Sequence, residues 1–95
     1  MIVRILGGEG QLRVDDTHAE LLNGLDSGLE RAVEAGDEAG FRSALADLLA
    51  QVRTLGEPLA DDELVESDAL LPSDDATLEE VRAMLTDTAE GLIPG

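Results

Sequence analysis

His18 is the only histidine of the 95-residue sequence, so it is the first residue to consider as a general base or a metal ligand. A Ser-His-Asp triad needs a nucleophile, a base and an orienting carboxylate in one fixed arrangement. Asp15 and Asp16 precede His18, but no spacing in the sequence sets a serine against it. We therefore interpret His18 as a solvated side chain in the first turn of a helix, and we predict no catalytic residue.

Two runs of carboxylates could bind a hard cation, because Ca²⁺ prefers several oxygen ligands. They are Asp61-Asp62-Glu63 and Asp74-Asp75, and neither has the ligand spacing of an EF-hand loop. Paired carboxylates also hydrolyse glycosides, but a glycosidase groove normally uses aromatic platforms, and Phe41 is the only aromatic residue here. We predict no cofactor and no dedicated metal site, and we keep weak divalent-cation binding as an alternative function.

The glycine-rich stretch Gly7-Gly8-Glu9-Gly10 invites comparison with a phosphate-binding loop. A P-loop needs a Gly-Lys-Ser/Thr sequence with a helix directly after it. The chain has no lysine, and an alternating segment with strand character follows the glycines. The stretch is therefore predicted to be a hairpin turn.

The formal net charge of −16 arises from 22 Asp and Glu residues against six arginines. This charge disfavours direct binding to nucleic acid and to anionic lipid. No run of 18 apolar residues suggests a membrane span, and cysteine is absent, which excludes disulfides and thiolate metal sites. The composition favours a cytoplasmic protein without direct membrane insertion, whose partner is another protein with basic or apolar surface.

The elements predicted from periodicity and capping form a single domain of the α+β class, mainly helical. Residues 1–14 are predicted to form an N-terminal β-hairpin. Residues 15–56 are predicted to form an antiparallel αα-hairpin, in which the first helix begins after Asp15-Asp16-Thr17 and the second is capped by Asp37. Gly24 and Gly28 lie four residues apart in the first helix, and we interpret them as allowing close approach of another helix.

The second half of the chain is less periodic. Residues 57–76 are predicted to form an irregular crossing segment, with a short strand contributed by one of the apolar runs between 64 and 71. Residues 77–95 are predicted to form a third short helix and a tail, because Thr77-Leu78-Glu79-Glu80 has the form of a capping box.

An isolated two-stranded hairpin is marginally stable and has exposed edges. The hairpin must therefore pack on the helices, gain a third strand, or pair with another chain, which leaves a homodimer as one open hypothesis. The residues that we consider first for partner binding are apolar positions of the hairpin and of the 64–71 segment: Ile5, Leu12, Val14, Leu64, Val65, Leu70 and Leu71.

Several segments together resemble the PspA-associated protein family, PspAA. The resemblance begins with Met1-Ile2-Val3-Arg4-Ile5-Leu6, Gly8-Glu9-Gly10-Gln11 and Asp15-Asp16, and it continues through Ala35-Gly36-Asp37-Glu38-Ala39, Pro58-Leu59-Ala60-Asp61-Asp62-Glu63-Leu64, Ala76-Thr77-Leu78-Glu79-Glu80-Val81 and Gly91-Leu92-Ile93-Pro94-Gly95. None of these motifs is a catalytic signature, and the strength of the resemblance is that they follow one another along the whole chain.

The resemblance implies a small, mainly three-helical cytoplasmic protein of actinobacteria and archaea. Its implied role is that of a non-enzymatic accessory or regulatory protein, which binds the membrane-remodelling protein PspA in the envelope, or phage-shock, stress response. Through PspA it could act at the inner face of the membrane. The sequence leaves two alternatives open: an acidic nucleic-acid mimic that inhibits a DNA-binding protein, and the weak divalent-cation-binding protein considered above.

Overall fold

The computed structural model describes residues 1–6, 10–60 and 65–86. Within them the chain forms a small mixed sheet and three α-helices, which confirms the predicted α+β, mainly helical class. The strands are β1 (Ile2–Ile5), β2 (Gly10–Arg13), β3 (Glu57–Pro58) and β4 (Ala69–Leu71). The helices are α1 (Ala19–Ala35), α2 (Glu38–Leu55) and α3 (Leu78–Thr86), and a 3₁₀ turn (Asp16–His18) precedes α1.

Local capping sets where the helices begin. The Asp37 Oδ1 accepts the Gly40 N–H at 3.1 Å at the start of α2, and the Thr77 hydroxyl accepts the Glu80 N–H at 3.1 Å at the start of α3. The Asp15 carboxylate accepts the Thr17 N–H at 2.9 Å, and these Thr17 hydrogen bonds lower the pKa of Asp15. The caps that the sequence predicts at Asp37 and Thr77 are thus confirmed.

A left-handed glycine joins the first two helices. Gly36 has φ of 68°, and its N–H is bonded to the α1 carbonyls of Ala32 and Val33. Glycine adopts this backbone conformation without the Cβ clash that other residues meet. Because the connection contains only Gly36 and Asp37, α1 and α2 form the predicted αα-hairpin.

The sheet has the strand order β3-β2-β1-β4. β1 pairs with β2 in antiparallel orientation and with β4 in parallel orientation, while β2 pairs with β3 in antiparallel orientation. The strand expected from the 64–71 segment is therefore β4. Both edges of the β1–β2 hairpin are paired within the chain, so the hairpin does not need a second copy to cover it.

The core lies between the helices and one face of the sheet. Its members are alternate strand residues and the facing stripes of the helices: Val3, Ile5, Val14, Leu22, Leu29, Val33, Phe41, Leu45, Leu48, Leu49, Val52, Ala69, Leu71, Ala76, Leu78 and Val81. The α2 members recur at helical spacing, which makes α2 amphipathic. Leu21 on α1 is 50% exposed, because it lies beside the buried stripe of that helix and not on it.

Two acidic residues of α1 lie where charge is unfavourable. Asp26 is only 2% exposed, on the same helix face as the core residues Leu22 and Leu29. The pKa of Glu30 is raised, first by burial and then by the nearby Asp26 and Glu34 carboxylates. Like charges and partial desolvation both disfavour the ionised form, so α1 has local charge crowding.

The interpretation of Gly24 and Gly28 as close-packing positions is wrong. A Cβ added at either glycine would meet no atom of residues 1–6, 10–60 and 65–86 within 4 Å. The neighbouring helix packs against the opposite side of α1, where Leu22, Leu29 and Val33 are buried. Spacing alone could not reveal this, because the packed face is decided by the tertiary structure.

Candidate interaction surface

The residues considered for partner binding fall into three groups. Ile5, Val14 and Leu71 are at most 1% exposed and belong to the core, which corrects the expectation that they offer surface to a partner. The β1–β4 pairing places Ile5 beside Leu71 on the sheet face that the helices cover, and Val14, just after β2, belongs to the same core. Leu12 is half-buried against the core, and Leu64 lies outside the described residues.

Val65 and Leu70 remain exposed, at 42% and 48%. Leu70 lies in register with Arg4, on the face of the sheet that points away from the helices. Leu6 follows β1 directly, and its N–H donates to the Leu71 carbonyl at 2.9 Å, so it continues the alternation on the side of Arg4. Leu6 is 40% exposed, which makes the outer face of the sheet partly apolar.

Val65 and Ser67, in the described segment before β4, contact this outer face. Gln11, which pairs with Arg4, donates its side-chain amide to the Val65 carbonyl at 3.0 Å and to the Ser67 hydroxyl at 2.8 Å. The Val65 backbone is therefore held at Gln11, on the strand next to Arg4. We call Arg4, Leu6, Val65 and Leu70 the outer sheet patch.

The outer sheet patch holds most of the exposed apolar bulk among the described residues. Of their four large hydrophobic side chains with high exposure, three are in the patch, and the fourth is Leu21 on α1. Single exposed hydrophobic residues are common on proteins, but several on one surface mark an interaction site. The patch is thus the candidate site.

The outer sheet patch contains one cationic side chain, Arg4, while the carboxylates of Asp68 and Glu57 lie at its margins. Arg4 is exposed, and within residues 1–6, 10–60 and 65–86 it forms no ion pair. Arg13 also lies on this face, two residue pairs further along the β1–β2 ladder, opposite Glu57. A strongly acidic molecule therefore presents cationic and apolar groups together on one surface.

Two of the arginines on the helical side, Arg53 and Arg82, serve the fold. Arg53 forms two hydrogen bonds with the Asp74 carboxylate, at 3.0 and 3.3 Å. Arg82 donates to the Val33 carbonyl at 3.0 Å and also pairs with Glu79. These contacts tie the segment before α3, and α3 itself, to the αα-hairpin.

The candidate catalytic and metal-binding groups do not converge in the described part of the chain. His18 lies in the turn before α1, where its backbone N–H donates to the Asp15 carbonyl at 3.0 Å. Asp74 is engaged by Arg53, and Asp75 accepts the Ser73 hydroxyl at 2.6 Å, which lowers the pKa of Asp75. Across residues 1–6, 10–60 and 65–86 there is no group of three His, Asp or Glu residues suited to a metal ion. The run Asp61-Asp62-Glu63 lies outside this range.

Sequence reasoning missed Arg4 and Leu6 as surface residues of the candidate site. The available signal was period-two alternation, because Val3 and Ile5 are buried and must face the opposite side from residues 4 and 6. That signal does not show which face is exposed until one face is known to be covered by the helices.

None of the helices in the described residues is long and apolar enough to cross a membrane.

Comparison with known proteins gives one match. The family model of the PspA-associated protein, PspAA, matches residues 1–95, which is the whole sequence. No curated protein and no solved structure matches. The chain therefore belongs to the PspA-associated protein family, as the resemblance predicts.

Proposed function

From its membership of the PspA-associated protein family, we propose that this chain is a non-enzymatic accessory or regulatory protein that binds PspA in the envelope stress response. The observation that carries the proposal is the match to the family over residues 1–95. A binding role also suits a surface on which apolar and cationic side chains are exposed together.

Binding to PspA would explain how so acidic a chain could act at a membrane. A net charge of −16 opposes direct contact with anionic lipid. We propose a cytoplasmic location, with recruitment to the inner face of the membrane through PspA. Whether one or two copies take part is decided by sedimentation of the purified protein, and a monomer at high micromolar concentration would contradict a homodimer.

The experiment that tests the function is capture of PspA by the full chain. Tagged protein is recovered after crosslinking in cells, and purified PspA is then titrated against purified chain. We expect recovery of PspA and saturable binding in solution. Failure to recover PspA under crosslinking, together with no binding of the purified proteins, would refute direct binding.

Vesicle flotation tests the indirect membrane role. The chain is mixed with vesicles that contain anionic lipid, with and without PspA. We expect the chain to float only when PspA is present. Flotation by the chain alone would contradict the recruitment step.

The two alternatives predict different results. Calorimetry with Ca²⁺, Mg²⁺ and Mn²⁺ would show saturable heat if the chain bound divalent cations, and we expect none. A nucleic-acid mimic would be displaced from its target by DNA, whereas we expect DNA to leave the complex with PspA intact.

A further inference from the structure

We propose that the outer sheet patch is the surface that contacts PspA, and that it receives a segment of PspA in which an apolar side chain lies next to a carboxylate. This inference rests on the proposed binding to PspA and adds to it the docking surface and the chemistry of the bound segment. It is drawn from two features of the patch, its apolar exposure and its local positive charge.

The fold leaves the apolar side chains of the outer sheet patch partly uncovered. Leu6, Val65 and Leu70 are 40%, 42% and 48% exposed, while their neighbours in the strands are almost fully buried. Leu70 lies opposite Arg4 across the β1–β4 pair, Leu6 lies two residues after Arg4 on the same side, and the Val65 carbonyl is bonded to Gln11 on the other side of Arg4. Covering adjacent apolar side chains removes them from water together, which stabilises a complex in proportion to the area buried.

The outer sheet patch also contains a position, at Arg4, where an anionic group of a partner is tolerated. Arg4 lies in register with Leu70 and is exposed, so a carboxylate that approaches the patch meets a guanidinium able to donate two parallel hydrogen bonds. On the helical side, Arg53 and Arg82 already donate to groups of this chain. A carboxylate of the partner is therefore favoured at the outer sheet patch and repelled over much of the remaining acidic surface.

The local charge also selects the face of the molecule on which the partner segment binds. A partner segment that is both apolar and acidic can reach Leu70 and Arg4 at once only on the outer face of the sheet. Because like charges on the rest of the molecule repel the same segment, the field would select this face over the exposed Leu21 on α1. Leu21 is the matched control, since its side chain is 50% exposed and that of Leu70 is 48% exposed.

The test compares single variants of the full chain for binding to purified PspA. Leu70→Asp and Arg4→Glu each place negative charge in the patch, and we expect each to weaken binding at least about tenfold, which corresponds to roughly 1.4 kcal/mol. Leu21→Asp introduces the same change on α1, and we expect it to bind like the unmodified chain. Circular dichroism and thermal denaturation of each variant establish that it is folded. Arg4→Ala, which removes the guanidinium without adding charge, is the second variant if Leu70→Asp does not fold.

Salt dependence provides an independent measurement. Affinity of the unmodified chain should fall as NaCl is raised from about 50 mM to about 500 mM, because the interaction at Arg4 is screened. The Arg4→Ala variant should show a smaller change over the same range. Equal salt dependence of the two proteins would contradict the role of Arg4.

Each result points to one conclusion. If the unmodified chain binds PspA and both patch variants bind equally well, or if only Leu21→Asp loses binding, the inference is overturned while the proposed function stands. If the unmodified chain does not bind PspA, the proposed function fails and the inference fails with it. If the patch variants lose binding to anionic vesicles in the absence of PspA, the patch contacts lipid and the inference is again overturned.

Discussion

Replacing Gly24 and Gly28 by alanine should stabilise the protein. Both glycines lie inside α1, and an added Cβ would meet no atom of the described part of the chain within 4 Å at either position. Alanine restricts the unfolded backbone more than glycine and is the better helix former, by roughly 0.5–1 kcal/mol at each site. The double variant should therefore gain about 1–2 kcal/mol, or roughly 4–16 °C in melting temperature for a domain of this size.

The assay is thermal denaturation followed by circular dichroism, with urea denaturation as a second measure of the free energy of unfolding. Two other glycines serve as controls that should respond in the opposite direction. Gly36 has φ of 68°, so Gly36→Ala should destabilise by roughly 1–2 kcal/mol. A Cβ at Gly40 would overlap the Asp37 side chain, so Gly40→Ala should disturb the cap of α2.

A lower melting temperature for the Gly24→Ala/Gly28→Ala variant would refute the reasoning. It would mean that another surface approaches α1 closely at these positions in solution. A gain confined to one of the two single variants would locate such an approach at the other glycine.

Four further predictions concern capping and charge. Glu30→Gln should raise the free energy of unfolding at pH 7, and the difference from the unmodified chain should shrink as the pH falls through the raised pKa of Glu30, which denaturation at several pH values would reveal. Asp15 and Asp75 have lowered pKa values, so the stability that their ionised forms provide is present near neutral pH and lost in stronger acid. Asparagine is not protonated in this range, so the free energy of unfolding of Asp75→Asn should fall less below about pH 4 than that of the unmodified chain. Asp37→Ala should cost about 1 kcal/mol by urea denaturation, whereas Asp37→Asn should cost little, because an amide oxygen can still cap α2. Moderate NaCl should raise the melting temperature by screening the repulsion within a chain of charge −16, and a decrease would contradict that view.

The helices could be predicted from the sequence because their signals are local. The Asp37 and Thr77 caps lie within three residues of the N–H groups that they bind, and Gly36, which ends α1, directly follows its last residue, Ala35. The β1–β2 hairpin could be predicted from the sequence for the same reason. Each of these elements is specified by residues close to it in the chain.

The sheet beyond the hairpin could be predicted only in part, because its pairings are non-local. β4 pairs in parallel with β1, with Val3 opposite Ala69, and no short-range pattern fixes that register. β3 has two residues, which is too short for any periodicity. The strand alternation indicates that Ile5 and Arg4 face opposite sides of the sheet. Only the helices decide which side is covered, so the sequence alone leaves Ile5 among the candidate partner-binding residues.

The pairing of β1 with β4 also has a consequence for protein synthesis. The N–H of Ile2 donates to the Asp68 carboxylate, a contact between residues 66 positions apart, so one edge of β1 has no partner strand until most of the chain has been translated. At roughly 5–20 residues per second, a nascent chain needs about 3–13 s to add that many residues. During that interval the hairpin has an apolar, unpaired edge, which is the kind of strand that aggregates with other chains. Variants that weaken β4 should therefore reduce the yield of folded protein from the ribosome more than their effect on equilibrium stability would suggest.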